Sequence, residues 1–300
     1  MTLKEQDSGH ARSSTAAAAA AVTTSATNTG PVAGTPSPVS LPDRKGDTTG
    51  LDPDPATEPA TSDRQPFPQA KLRLKIQDLN HPGAAKFLGA VNSATVLSTA
   101  VNNVLRLLYR SPSDHPNTTV PPTRSVTLIL RDMGGVAYTT GVPCPPLPPL
   151  HSPFPTALDK DHKEIHFSLA YIDSISPPSR LADEIAGVLT HELVHCYQWN
   201  AQGTCPGGLI EGVADWVRLN CDLGPPHWKK ETTGGYQHTA YFLQYLEERF
   251  GEGTIRRLND KLRHRKYAGE TFWPELFGQS VEELYGDYVK SEEGGDEDGE

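Results

Sequence analysis

No stretch of this chain approaches the roughly 18 consecutive apolar residues that a membrane-spanning helix requires, so no membrane partner is expected. An alanine run at 16–21 is the nearest thing to a secretory signal core. It is short, lacks Leu, Ile and Phe, and follows Glu5 and Asp7 as well as Lys4 and Arg12, so no signal is assigned. Localisation is left between cytoplasmic and non-classically exported. The four cysteines, Cys144, Cys196, Cys205 and Cys221, show no CxxC spacing. They leave free thiols and a bridge both open, with free thiols in a reducing compartment as the default. There is no basic stripe, which argues against a nucleic-acid partner.

Residues 1–66 hold few branched apolar residues and no aromatics, and are rich in Ala, Ser, Thr, Pro and Gly. Such a segment cannot bury enough apolar surface to offset its ordering entropy, and it is expected to be a disordered tail. Folding on a partner is the alternative. The last ten residues, 291–300, hold six acids and no base, and are expected to be a solvated acidic tail. The formal charge of −10 sits mostly in these two segments. The intervening domain, 67–290, is near neutral and is expected to be monomeric.

Within it, Leu72, Leu74 and Ile76 alternate with Arg73, Lys75 and Gln77, the period of a half-buried strand. Apolar residues at helical spacing over 84–109 predict one long helix, or two broken near Asn92 and Ser93. A strand is expected over 125–130, a turn at 132–135, and irregular chain through the proline-rich residues 141–156. Residues 165–172 alternate again, with Ile165, Phe167, Leu169 and Tyr171 on one face. A peptide could pair with that strand, or it could be plain core. Helices then follow at 180–200, with Ser179 as N-cap and Asp183 and Glu184 in the first turns, and at 209–220, 236–250, 254–264 and 281–289. Ala182, Ala186, Leu189 and Leu193 make the packing stripe of the first of these. Strands first and helices after predict an α+β fold, with a small N-terminal mixed sheet and helices followed by a mainly helical C-terminal half.

On the helix at 180–200 lies His191-Glu192-Leu193-Val194-His195, an HExxH pattern. Positions four apart share a helix face, so both imidazoles can reach one zinc ion at about 2.0–2.1 Å. Glu192 is turned about 100° away and can serve as base to the ion's water. The pattern arises by chance in roughly two chains of this composition per hundred, so context has to carry the reading. A catalytic zinc takes three protein ligands. Gln198 and Ala201 stand where a metzincin needs glycine and histidine, which excludes that class. Glu211 and Asp215 are four apart on the next predicted helix, behind a breaker at residues 205–208. Together they resemble the thermolysin-like ExxxD arrangement, with Glu211 as third ligand and Asp215 holding His191 by its other ring nitrogen. The plainer reading is a solvated helix face. His166 and His238 are the next candidates for the third ligand.

The runs HELVHCYQWN, PGGLIEGVADWVRL, PHW and GGYQHTAYFLQYLEERFG resemble the plant basic secretory protein family of zinc peptidases, over residues 71–289. The resemblance implies a zincin-like metallopeptidase domain with one Zn2+ per chain on His191, His195 and Glu211. It implies Glu192 as general base in hydrolysis of a peptide or protein substrate, and Tyr236, after the glycines, as oxyanion donor. Tyr236, His238 and Tyr241 could equally pack between helices. The near-neutral charge and the unassigned signal depart from the family's name, so secretion does not carry over. Two other readings stay open. One is an inactive descendant that binds peptide or protein through the same cleft. The other is a helical interaction module with an accidental motif, which predicts no zinc. No GxMEN motif is present, which argues against an amino-terminal exopeptidase.

Overall fold

The alternating residues after position 70 form strand β1 (Lys71–Ile76) in a computed structural model that describes residues 67–141, 161–230 and 236–294. The expectations for residues 1–66, for the prolines after position 141 and for the extreme C-terminus fall outside these. All described residues belong to one compact unit. After β1, the break near Asn92 is real. Helices α1 (Pro82–Ala90) and α2 (Ser93–Leu108) are separate, because Asn92 is extended and its side chain caps Thr95 N at 3.0 Å. Then come β2 (Ser125–Arg131), β3 (Ala137–Gly141) and β4 (His162–Ser168).

The sheet order is β1-β2-β4-β3, with β1, β2 and β4 parallel and β3 antiparallel on the outside of β4. A parallel pair needs a crossover connection, which α1 and α2 supply between β1 and β2. One row of the sheet reads Leu74, Leu128, Ile165, Thr139. Residues in register share a face, so Thr139 lies on the face whose apolar members join the core with α2 and with α4 (Leu181–Tyr197). His166 and Tyr138, one position along, lie on the other face and stack at 4.6 Å.

Several expectations need correcting. Residues 169–172 do not extend the strand. Ser168 Oγ accepts from Tyr171 N at 3.2 Å and starts α3 (Leu169–Ser174), in which Leu169 and Ile172 share the buried face. β4 lies between β2 and β3 and so offers no free edge to a peptide; among the described residues β3 holds that edge. Ser179 is not the cap of α4. It lies in a short 3-10 turn, Pro178–Arg180, and Arg180 occupies the cap position without a side-chain bond. Ala182 is exposed, and the helix is buried instead through Ile185, Val188, Leu189, Leu193 and Cys196.

The chain reverses before residues 205–208, through Ala201 and Gln202 in left-handed conformation. Gly207 and Gly208 open helix α5 (Gly207–Leu219) rather than breaking it. Helices α6 (Tyr236–Phe250), α7 (Thr254–His264), α8 (Gly269–Phe277) and α9 (Val281–Gly294) complete the described chain. α8 was not expected, and α9 runs beyond 289 into the acidic segment. Gly187 of α4 lies against the Arg218 guanidinium of α5, where a Cβ would come within 2.6 Å. Gly212 of α5 is closer still to Thr239 of α6, where a Cβ would come within 2.2 Å. The helix carrying the HExxH pattern is thus packed between the sheet and α5.

Candidate metal centre

One helical turn separates His191 from His195, and their rings meet edge to face with centroids 4.9 Å apart. Their Nε2 atoms are 3.2 Å apart. From α5, Glu211 Oε2 reaches 3.1 Å from His191 Nε2 and 3.6 Å from His195 Nε2. These three are the one group among the described residues whose arrangement could hold a metal ion. Ligands placed tetrahedrally at about 2.0–2.1 Å from zinc stand about 3.3 Å apart. All three separations are close to that edge, so the donor set fits such an ion.

The remaining ring nitrogens are held from outside. His191 Nδ1 lies 2.7 Å from Asp215 Oδ1, one turn beyond Glu211 on α5. His195 Nδ1 lies 2.7 Å from the Gln198 carboxamide, just past the end of α4. Burial works against charge on His191, but hydrogen bonds to Asp215 and Glu211 override it and push its pKa up to about 10. Burial would raise Glu211, yet the two imidazoles hold its carboxyl far below the usual carboxylate range.

Glu192, next to His191 on α4, is buried. Thr139 Oγ1, on the sheet edge, lies 2.7 Å from Glu192 Oε2 and 2.9 Å from its main-chain carbonyl oxygen. The hydroxyl donates to one or the other and fixes the carboxylate from the sheet side.

A buried ion pair sets α4 against α5. Arg218 Nη2 donates to Glu184 Oε2 at 3.0 Å, its Nε donates to the Leu223 carbonyl at 2.9 Å, and Tyr171 donates to Glu184 Oε1 at 2.9 Å. This network lies up the helices from the histidines and fixes the helix spacing on which the cluster depends.

His191, His195, Glu211 and Asp215 are thus brought together as the spacing and the ExxxD likeness predicted. His166 is not among them, because it lies on the far face of the sheet. His238 is buried on α6 and is not part of the cluster. Tyr236 opens α6, but its side chain lies outside the described residues. Thr139 was not singled out from the sequence, and Gln198 was read only as a departure from the metzincin pattern, although it is three residues past His195, within reach of that ring.

An α+β domain with a candidate metal centre between its central helix and the next is the class that fold and cluster define. The chain belongs to the family described as BSP, peptidase of plants and bacteria, which matches residues 69–288; this is the basic secretory protein family that its motifs resemble. No curated protein and no solved structure matches it.

Proposed function

We propose that the chain is a zinc-dependent peptidase of zincin-like fold, with one Zn2+ held by His191, His195 and Glu211. The observation that carries this is the near-tetrahedral edge lengths of the three donors beside an anchored glutamate. Membership of a family described as peptidases supports the hydrolytic part. Zinc, when bound, supplies a Lewis acid and lowers the pKa of the attacking water.

The chain's own residues do the rest. Glu192 takes the proton from that water during attack on the scissile carbonyl, then delivers it to the leaving amine. Thr139 keeps the carboxylate aimed. Asp215 holds His191 with its Nε2 turned inward. Tyr236 is the candidate second donor to the oxyanion.

Substrate enters along β3. This strand pairs only with β4 among the described residues, so its other edge can add an extended peptide by main-chain hydrogen bonds. Thr139 lies on that strand and touches Glu192, which brings a peptide paired there alongside the base.

The test is elemental analysis of purified protein together with cleavage of a mixed peptide library. Wild type should carry about one zinc and cut. His191→Ala and His195→Ala should lose the metal. Glu192→Gln should keep zinc and lose about 10²–10⁴-fold in turnover. Full zinc in both histidine variants would remove the site. Unchanged turnover in the glutamine variant would remove the mechanism. Stoichiometric zinc with no cleavage would favour a peptide-binding module.

A further inference from the structure

Two imidazoles that offer Nε2 to one ion must each carry their proton on Nδ1. For His191 the acceptor of that proton is the Asp215 carboxylate, at 2.7 Å. His195 has a different neighbour at the same distance, the carboxamide of Gln198. Gln198 Nε2 lies on this contact, and a half-turn of the carboxamide brings Oε1 to the same place without moving another atom. With the nitrogen there, Nδ1 would accept and Nε2 would carry the proton, closed to a ligand. With the oxygen there, Nδ1–H donates and Nε2 is open.

We infer that Gln198 is the positioning residue of His195, its carboxamide oxygen accepting from Nδ1–H and holding Nε2 toward Glu211 and His191. This inference rests on the metal reading above. The backbone is built for such a role. Gln198 is the first extended residue after α4, with φ −77° and ψ 150°. Its N–H still closes the helix on the Val194 carbonyl at 2.7 Å. The helix end around it is pinned from other elements: Thr123 Oγ1 donates to the Cys196 carbonyl at 2.7 Å, Tyr109 donates to the Tyr197 carbonyl, and Trp199 N donates to Asn259 Oδ1 at 3.0 Å. The side chain is thereby turned back over the last helical turn.

The two partners differ in charge. Asp215 makes His191 the more basic ligand, while a neutral amide orients His195 without adding to the negative charge of Glu211, Asp215 and Glu192. That difference gives a test whose sign separates orientation from mere packing. Zinc affinity is measured on the full chain by competition with a chromogenic chelator, for wild type, Gln198→Leu and Gln198→Glu. The melting temperature of each zinc-free protein serves as control. Gln198→Leu should bind zinc about 10–100-fold more weakly, the usual cost of removing such a partner. Gln198→Glu should bind at least as tightly as wild type, because a carboxylate accepts the same bond and raises ligand basicity. A packing role predicts that both variants weaken together, in step with melting temperature. Wild-type affinity in the leucine variant, or a glutamate variant as weak as the leucine one, overturns the inference. A wild type that binds no zinc in this titration places the fault in the metal centre itself, and the inference falls with it.

Discussion

At the scale of single residues, the two carboxylates of α5 should behave unequally. Glu211 Oε2 faces both Nε2 atoms, whereas Asp215 meets only the far nitrogen of His191. Glu211→Gln replaces an anionic donor with a neutral amide at the ion and should largely abolish zinc binding. Asp215→Asn keeps the shape and one acceptor, and should weaken zinc by about 10–100-fold. Competition titrations at one pH decide the order, and the reverse order would make Asp215 the ligand.

The same residues give a pH signature. In the zinc-free fold His191 titrates near 10, above its ordinary 6.5. A raised folded pKa contributes stability that is fully present below about 6.5 and is lost as pH climbs toward 10. The melting temperature of chelator-treated protein should therefore fall between pH 7 and pH 10. Zinc needs His191 neutral at Nε2, so binding expels that proton and apparent affinity should rise roughly tenfold per pH unit over the same window. Affinity that does not change over this window would mean that His191 is already neutral above pH 7 in the zinc-free fold.

Moving to elements, helical spacing said that His191 shares a face with His195, and Glu211 with Asp215; that the two faces meet came only from the likeness to the ExxxD arrangement. Spacing could not find Thr139. That residue reaches Glu192 only through the register of β3 on β4, and a five-residue strand of mixed polarity carries little signal of its own. Four residues of apparent alternation hid the start of α3, since Leu169 and Ile172 also satisfy helical spacing. Pro274 inside α8 masked a helix that buries Phe272 and Trp273.

The contact between α4 and α5 was illegible for a related reason: Gly187 and Arg218 meet only after the chain has reversed. It also makes a prediction. Gly187→Ala puts a methyl within 2.6–2.8 Å of a guanidinium held by Glu184 and the Leu223 carbonyl. Overpacking costs about 1–3 kcal/mol, and disturbing a buried pair adds to it, so a loss of about 2–4 kcal/mol is expected in urea unfolding. Zinc affinity should fall with it, because the same contact sets the distance from Glu211 to the histidines. Wild-type stability would mean that the helices shift freely and that the cluster geometry has another source.

For the whole molecule, the question is where the folded unit stops. Composition placed the boundaries at 67 and 290. The family match begins at 69 and ends at 288, but α9 continues to Gly294 and brings Glu292 within 2.8 Å of Lys230. Tyr288 and Leu284 of the same helix are fully buried, so the helix is anchored before it reaches the acidic residues. Two truncations distinguish these boundaries. A chain of residues 67–294 should keep the melting temperature and zinc content of the full protein, because residues 1–66 bring few core-forming side chains and the last six are acidic or glycine. A chain of residues 67–290 additionally loses the final turn of α9 and the Lys230–Glu292 pair. An ion pair this exposed is worth about 0–1 kcal/mol, so that chain should melt slightly lower, with zinc content unchanged. A drop of many degrees already in the 67–294 chain would mean that the N-terminal segment packs on the domain. Comparison with a 1–294 chain would then assign the loss to that segment rather than to the acidic end.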